Sequence, residues 1–310
     1  GAVIDHNGKA SGRVFEDVKQ VGISLENLAA VCGTKTDAKV AILYDHKNSW
    51  AISNASGFIN ADKQYVKTCL QHYKSFWKRG VDVDVIEAGE ELDGYSLVVM
   101  PMLYSLDQAQ IDRIEQYVAR GGTVVATYAT GYVNETDMCY LDGFPGDRLK
   151  DVFGLTADEI DSLYPTDKNS VLWDGKAYDV VDYCELITPI TAEPLGYYEA
   201  DFYKGMPALL KNRYHSGTAY YLGCRDTGEM TDKLYDILLK ELEIKTYALP
   251  EGVTVSSRGQ YLFVQNFNDH PVAVTLTGAY RNVETGEWYD DVVSLAPLGV
   301  AVVAPRDGRT

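Results

Sequence analysis

The chain is short of positive charge, of paired cysteines and of long apolar runs. Lys and Arg number 28 against 45 Asp and Glu in 310 residues, a net charge of −17. Phosphate backbones are held by basic patches, so no nucleic-acid partner is expected. The acidic excess is spread along the chain, as on a solubilising surface. No apolar run approaches the ~20 residues that cross a bilayer, and no signal-peptide pattern opens the chain. No membrane partner is expected, and the location is read as cytoplasmic. The five cysteines (Cys32, Cys69, Cys139, Cys184, Cys224) stand singly without a CxxC, which argues against a disulfide framework or a zinc site. Reduced, mostly buried thiols are the expectation.

Catalytic signatures are equally scarce. There is no HExxH, and the histidines His6, His46, His72, His215 and His270 are isolated. No GxxxxGK[ST] occurs. Gly121-Gly122 precedes an apolar run rather than following one, so it reads as a helix stop and not as a phosphate cradle. No GxSxG elbow is present. Catalytic, metal and cofactor residues are therefore all assigned as none.

What the sequence does have is 23 tyrosines and a hydrophobic fraction of 46%. Tyrosine suits half-buried surfaces such as protein interfaces and sugar-stacking platforms. Length allows two domains. The opening residues, GAVIDHNGKASGR, read as the middle of something longer. Over 11–32, Val14, Val18, Val21, Leu25 and Leu28 recur at spacings of four and three, the stripe of an amphipathic helix that Gly33 stops. Such a stripe must pack on something, and a part preceding this chain is the expected partner.

From Lys39 strands and helices alternate. The segment KVAILYDHKNSW (39–50) turns from β-branched to polar at Asp45, as a buried parallel strand does when it ends in a loop at the carboxyl edge of its sheet. Ligands gather at that edge in open α/β domains. A helix over 61–79 carries Tyr65, Cys69, Tyr73, Phe76 and Trp77 on one face and ends at Gly80. Strands follow at 81–86, 95–100 and 123–128, with a helix at 107–119. The alternation predicts right-handed βαβ units and a parallel sheet. Residues 130–225 read as a turn-rich elaboration with short extended pieces at 170–173, 185–190 and 218–222. A helix at 229–242 closes this domain, and Pro250 and Gly252 mark a boundary. Beyond it the period drops to two, over 253–256, 261–266, 272–276, 280–283, 292–295 and 299–304. Turn residues lie between these runs, the pattern of a small antiparallel β-sandwich.

Where an amidotransferase-like α/β domain places its nucleophile, this chain has Thr127-Tyr128-Ala129-Thr130-Gly131 and no cysteine. Glu135 and Asp137 follow, a carboxylate pair of the kind glycosidases use at ~5–5.5 Å in retaining enzymes, or a solvated loop. Trp50, Tyr104, Tyr128 and Tyr132 follow strand ends and could stack on sugars or line a subunit interface. Asp45-His46 is the other pair at this edge.

Seven segments in order, KVAILYDHKNSW, CLQHYKSFWKRGVDVDVI, LDGYSLVVMPMLYSL, YVARGGTVVATYATGYVNETD, FPGDRLKDVFGLTADEID, FYKGMPALLKNRYHSGTAYYLGCRDT and YLFVQNFNDHPVAVTL, resemble the family 42 glycoside hydrolases, the bacterial β-galactosidases. The opening DHNGKASGRVFEDVKQVG is similar to the end of that family's catalytic barrel. The resemblance implies residues 1–35 as the barrel's tail, 36–247 as an amidotransferase-like (flavodoxin-like) trimerisation domain and 248–310 as the C-terminal β-domain. It implies a homotrimer, and galactoside hydrolysis in the full-length enzyme by two glutamates on a (β/α)8 barrel outside this chain. No catalytic residue therefore carries over. The family's tryptophan pair after the first strand is reduced here to Trp50, with His46 and Ser49 at aromatic-prone positions. Trp50 and His46 are kept as candidate contacts to a sugar or a neighbouring subunit. A stand-alone amidotransferase-like hydrolase near Thr130 and Glu135, or a carbohydrate-binding module, are the rival readings.

Overall fold

The computed structural model describes residues 3–4, 6, 8–10, 12–57 and 62–306. The first helix, α1 (Arg13–Asn27), is followed by a 3-10 turn over Ala29–Val31. Most of its stripe stands in solvent: Val14, Val18, Val21 and Leu25 are exposed, while Leu28, just beyond the helix, packs on Val31, Tyr261 and Val302. Residue 11, where this helix was expected to begin, lies outside the described residues, as does residue 61 at the expected start of the next long helix.

The chain divides into two compact units, the larger comprising Ala38–Trp77 and Val83–Lys245. It opens with β1 (Val40–Leu43), every residue of which is buried, as a central parallel strand requires. The expected loop after it is instead a helix, α2 (His46–Asn54), which starts at once because Asp45 caps it. The Asp45 carboxylate accepts from the backbone N–H of Lys47 at 2.7 Å and of Asn48 at 3.4 Å. Helix α3 (Tyr65–Trp77) buries Tyr65, Thr68, Cys69, His72, Ser75 and Phe76. Tyr73, expected on that face, points outward instead. The polar Thr68, His72 and Ser75 were passed over because their burial depends on partners that no periodicity reveals.

Then come β2 (Val83–Ile86), β3 (Leu97–Met100), α4 (Gln108–Ala119) and β4 (Thr123–Thr127). A capping box between Asp107 and Gln110 starts α4. The stretch expected to be turn-rich, with short extended pieces only at 170–173, 185–190 and 218–222, holds α5 (Leu149–Phe153), β5 (Leu155–Ser162), β6 (Asn169–Trp173), β7 (Lys176–Pro189), β8 (Glu193–Tyr198), β9 (Pro207–Tyr214), β10 (Gly217–Leu222) and β11 (Cys224–Asp226), so three pieces were anticipated and the rest were not. These strands do not decorate the sheet; they extend it. One eleven-stranded sheet runs β11-β7-β6-β8-β9-β10-β4-β3-β1-β2, with β5 paired to β7. It is parallel from β2 through β10 and antiparallel beyond. β7 was hard to read because its pattern changes midway. Tyr178 and Val180 alternate inward, and Tyr183 to Ile187 are then buried continuously. Asp182, with φ of 61°, marks the change. Helix α6 (Glu229–Glu241) completes the unit.

The smaller unit contains α1 and a five-stranded antiparallel sheet of order β12-β13-β16-β14-β15. Its strands are β12 (Val253–Arg258), β13 (Tyr261–Asn266), β14 (Val272–Asn282), β15 (Trp288–Leu295) and β16 (Val300–Pro305). The two runs read at 272–276 and 280–283 are one strand whose register shifts between Thr275 and Ala279. Gly278, at φ 118°, sits in that irregularity and was misread as a turn. Val255, Val264, Val274, Val293 and Val303 build the core of this sheet.

Candidate functional site

Two places at the carboxyl ends of the parallel strands were singled out by the sequence, and the structure treats them in opposite ways. The first is an open cleft of about 420 Å³ beyond β1 and β3, lined by Asp45, Asn48, Trp50, Ser105, Gln110 and Glu135 among others. Its floor is rigid. Asn48 is 1% exposed; its amide donates to the Met102 carbonyl at 3.0 Å and its oxygen accepts from the Ser105 N–H at 2.9 Å. That amide ties α2 to the segment after β3. The Ser105 hydroxyl donates in turn to the Asn134 carbonyl at 3.1 Å. Asn134 then folds the next loop over itself, accepting from the N–H groups of Thr136 and Met138.

Trp50 stands on α2 rather than on a loop, 67% exposed at the rim of this cleft. Glu135 and Asp137, exposed on the loop Asn134 shapes, share the lining with it. The structure thus brings together two features that the sequence held 85 residues apart. His46 is exposed but is not among the lining residues; its ring meets Tyr44 edge-on at 5.2 Å, and Tyr44 stacks on Tyr65 at 5.4 Å. The other aromatic candidates do not form open platforms. Tyr128 and Tyr132 are buried, Tyr132 stacking on Phe144 at 4.1 Å, and Tyr104 is half-buried beside it.

The second place, the turn after β4, is sealed. Ala129 has φ of 57°, a left-handed conformation that costs a non-glycine residue on the order of 1–2 kcal/mol. Its N–H donates to Glu185 Oε1 at 2.7 Å. The hydroxyls of Tyr132 and Tyr221 donate to the same carboxyl group, at 2.7 and 2.8 Å. Glu185 is fully buried, and burial drives its pKa up to about 7 against the pull of these three donors. Thr130, the candidate nucleophile, is also buried, and its hydroxyl donates to the Thr127 carbonyl at 2.6 Å. That hydroxyl serves the turn.

Arg225 closes the sheet edge beside this turn. It donates to the Tyr128 hydroxyl and to Asp182, each at 2.7 Å, and to Thr68, with the Lys63 carbonyl at 3.3 Å. Its guanidinium lies 5.1 Å from the ring centre of Tyr183. His72 is buried with Nδ1 2.5 Å from the Tyr235 hydroxyl, and burial, then the Arg225 charge, hold its pKa down to about 3. It is neutral at physiological pH. The buried thiols of Cys69 and Cys184 are pushed up to about 12 by the same loss of water, so they are poor nucleophiles. Among the described residues no group of three or more His, Cys, Asp or Glu could hold a metal ion. Glu185 and Arg225 were missed by the sequence reading. The signal was present in each case, a lone charge inside an apolar strand (CELI) and another directly after one (LGCRD).

The larger unit is thus an open α/β domain whose turn after β4 is sealed. Comparison with known proteins makes the assignment specific. Residues 38–245 match the β-galactosidase trimerisation domain and residues 252–305 the β-galactosidase C-terminal domain. β-Galactosidase GalA of Bacillus licheniformis is 40% identical over 303 residues, covering 95% of this chain and 45% of the relative. The structure of a catalytic mutant of Gan42B, a GH42 β-galactosidase from G. stearothermophilus, superposes with a TM-score of 0.93 at 38% identity, covering 98% of this chain and 46% of that one. A β-galactosidase from Bacillus circulans sp. alkalophilus gives 0.92 at 32% identity, over 98% of this chain and 47% of that one. The chain belongs to the family 42 β-galactosidases and spans about half the length of the relatives it matches. Among the described residues no helix is long and apolar enough to cross a membrane.

Proposed function

We propose that this chain is the non-catalytic, assembling part of a β-galactosidase. Residues 36–247 bring copies together as a homotrimer, residues 248–310 form the C-terminal domain, and residues 1–35 are the tail of a catalytic barrel. The observation that carries this reading is the match of residues 38–245 to a trimerisation domain. Two features support it. The turn where an amidotransferase-like enzyme would hold its nucleophile is filled by Ala129 and stabilised by Glu185. The exposed apolar stripe of α1 suits a covering domain in the parent protein. Hydrolysis of terminal β-galactosides then belongs to glutamates of the barrel. The 310-residue chain should leave an aryl β-galactoside untouched; turnover above the buffer rate would overturn the proposal.

One observation favours a second role. An exposed indole beside carboxylates and amides is how proteins grip a sugar, apolar ring face on the aromatic and hydroxyls on the polar rim. We infer that Trp50 contacts galactose-type ligands or a neighbouring subunit from the rim of the cleft, with His46 behind it. Galactose or lactose should quench tryptophan fluorescence saturably in the wild type and not in Trp50→Ala. Identical titrations of the two proteins would remove the sugar from this reading and leave the subunit contact.

A further inference from the structure

Two exposed surfaces of the larger unit are unlike each other and complementary. The outer face of α3 carries Val66, Leu70 and Tyr73, spaced four and three apart, 47%, 58% and 37% exposed. These positions form a second apolar stripe, separate from the one that α3 buries. Helix α3 has two lysines, Lys67 and Lys74, and no acidic residue, in a chain with a large acidic excess. Lys67 is held only loosely, 3.8 Å from Asp62.

The antiparallel wing has the opposite character. Residues 155–204 contain eleven acidic and three basic side chains. One face of β7-β6-β8 is covered: Val171, Trp173, Tyr178 and Tyr198 are buried. The other face is open. Leu172 and Tyr197 are register partners across β6 and β8 there, each 42% exposed. One pleat away, Asp179 is the register partner of Ser170, whose hydroxyl donates to Glu199 at 2.9 Å. An apolar pair bordered by carboxylates therefore faces outward.

We propose that in the trimer the outer stripe of α3 in one copy packs on the open face of β6, β7 and β8 in the next. This rests on the self-association proposed above and names the surfaces that perform it. Leu70 and Tyr73 meet Leu172 and Tyr197, and Lys67 and Lys74 face Asp179 and Glu199. Because the two patches differ, the contact is heterologous, and heterologous contacts close into a ring when the rotation allows. Charge complementarity, apolar area on both sides and a family defined by trimerisation all select a second copy of this chain as the occupant.

Sedimentation velocity on the 310-residue chain tests it. The wild type should sediment as a trimer. Leu70→Asp and Leu172→Asp should each drop threefold in mass, with the circular dichroism spectrum unchanged because both side chains are exposed in the single copy. Lys74→Glu, at an exposed position, should weaken the trimer in the same direction. Mixed in equal amounts, the two Asp variants should form a one-to-one dimer and nothing larger, since each retains the patch the other has lost. A monomeric wild type would overturn the trimer reading and this assignment with it. A trimeric wild type that either Asp variant leaves trimeric would overturn the assignment alone. Monomeric variants that fail to recombine would overturn the pairing of these two patches.

Discussion

The carboxyl end of β4 and the carboxyl end of β1 occupy equivalent positions in the sheet, yet one is sealed and the other open. After β4 every polar group is spent on structure: Glu185 holds the Ala129 N–H, Thr130 holds a backbone carbonyl, and Arg225 joins three segments. After β1 the polar groups on the floor are spent as well, but Trp50 and Glu135 are left facing solvent. Buried, perturbed groups are often read as reactive ones. Here the more perturbed site is the structural one, because Glu185 is buried among donors and Arg225 is paired with Asp182. The difference teaches that a strongly perturbed group in this domain marks scaffold, while the exposed candidate residues lie at the open end.

Substitutions sharpen the contrast. Arg225→Ala should have the largest effect, since it leaves Asp182 and the Tyr128 hydroxyl without their cation; breaking a buried pair costs about 3–5 kcal/mol. Urea unfolding followed by circular dichroism would measure it, and a loss under about 1 kcal/mol would place Arg225 among surface ion pairs.

Glu185 comes next and carries a sign. Its carboxyl pKa is raised from an ordinary 4.5 to about 7, so between these values the folded chain holds a proton that the unfolded chain has released. Its contribution is full below about pH 4.5 and is lost as pH rises through about 7. The shift corresponds to about 3 kcal/mol. Glu185→Gln should flatten this part of the pH–stability curve. A variant curve as steep as the wild type's would show that another group titrates there.

Smaller effects belong to the open site. Asp45→Ala removes the cap of α2 and should cost about 1 kcal/mol. Trp50→Ala should change stability by no more than about 0.5 kcal/mol, because the indole is mostly in water. A larger loss at Trp50 would mean that the indole supports the fold, and the comparison between the two ends would fail.

Much of the parallel half could be read in advance. β1, β3 and β4 are continuous apolar runs bounded by charge, Gly or Pro, and α4 carries its own start signal in Asp107 and Gln110. The antiparallel wing could not be read that way. β7 changes period at Asp182, and β8 is interrupted by register shifts around Gly196. Pairing partners, rather than local pattern, define those strands. The sites divide along the same line. Trp50, Glu135 and Asp137 were visible as residue types, but their convergence on one cleft depends on Asn48 and Asn134 binding backbone groups distant in sequence or across a turn. Glu185 and Arg225 were hidden because a charge in an apolar strand has meaning only once its partners are known.

Self-association is the central claim, and mass in solution tests it most directly. Sedimentation velocity over a concentration series should show the 310-residue chain reaching a discrete trimer. A strict monomer at the highest concentration reached would contradict the account.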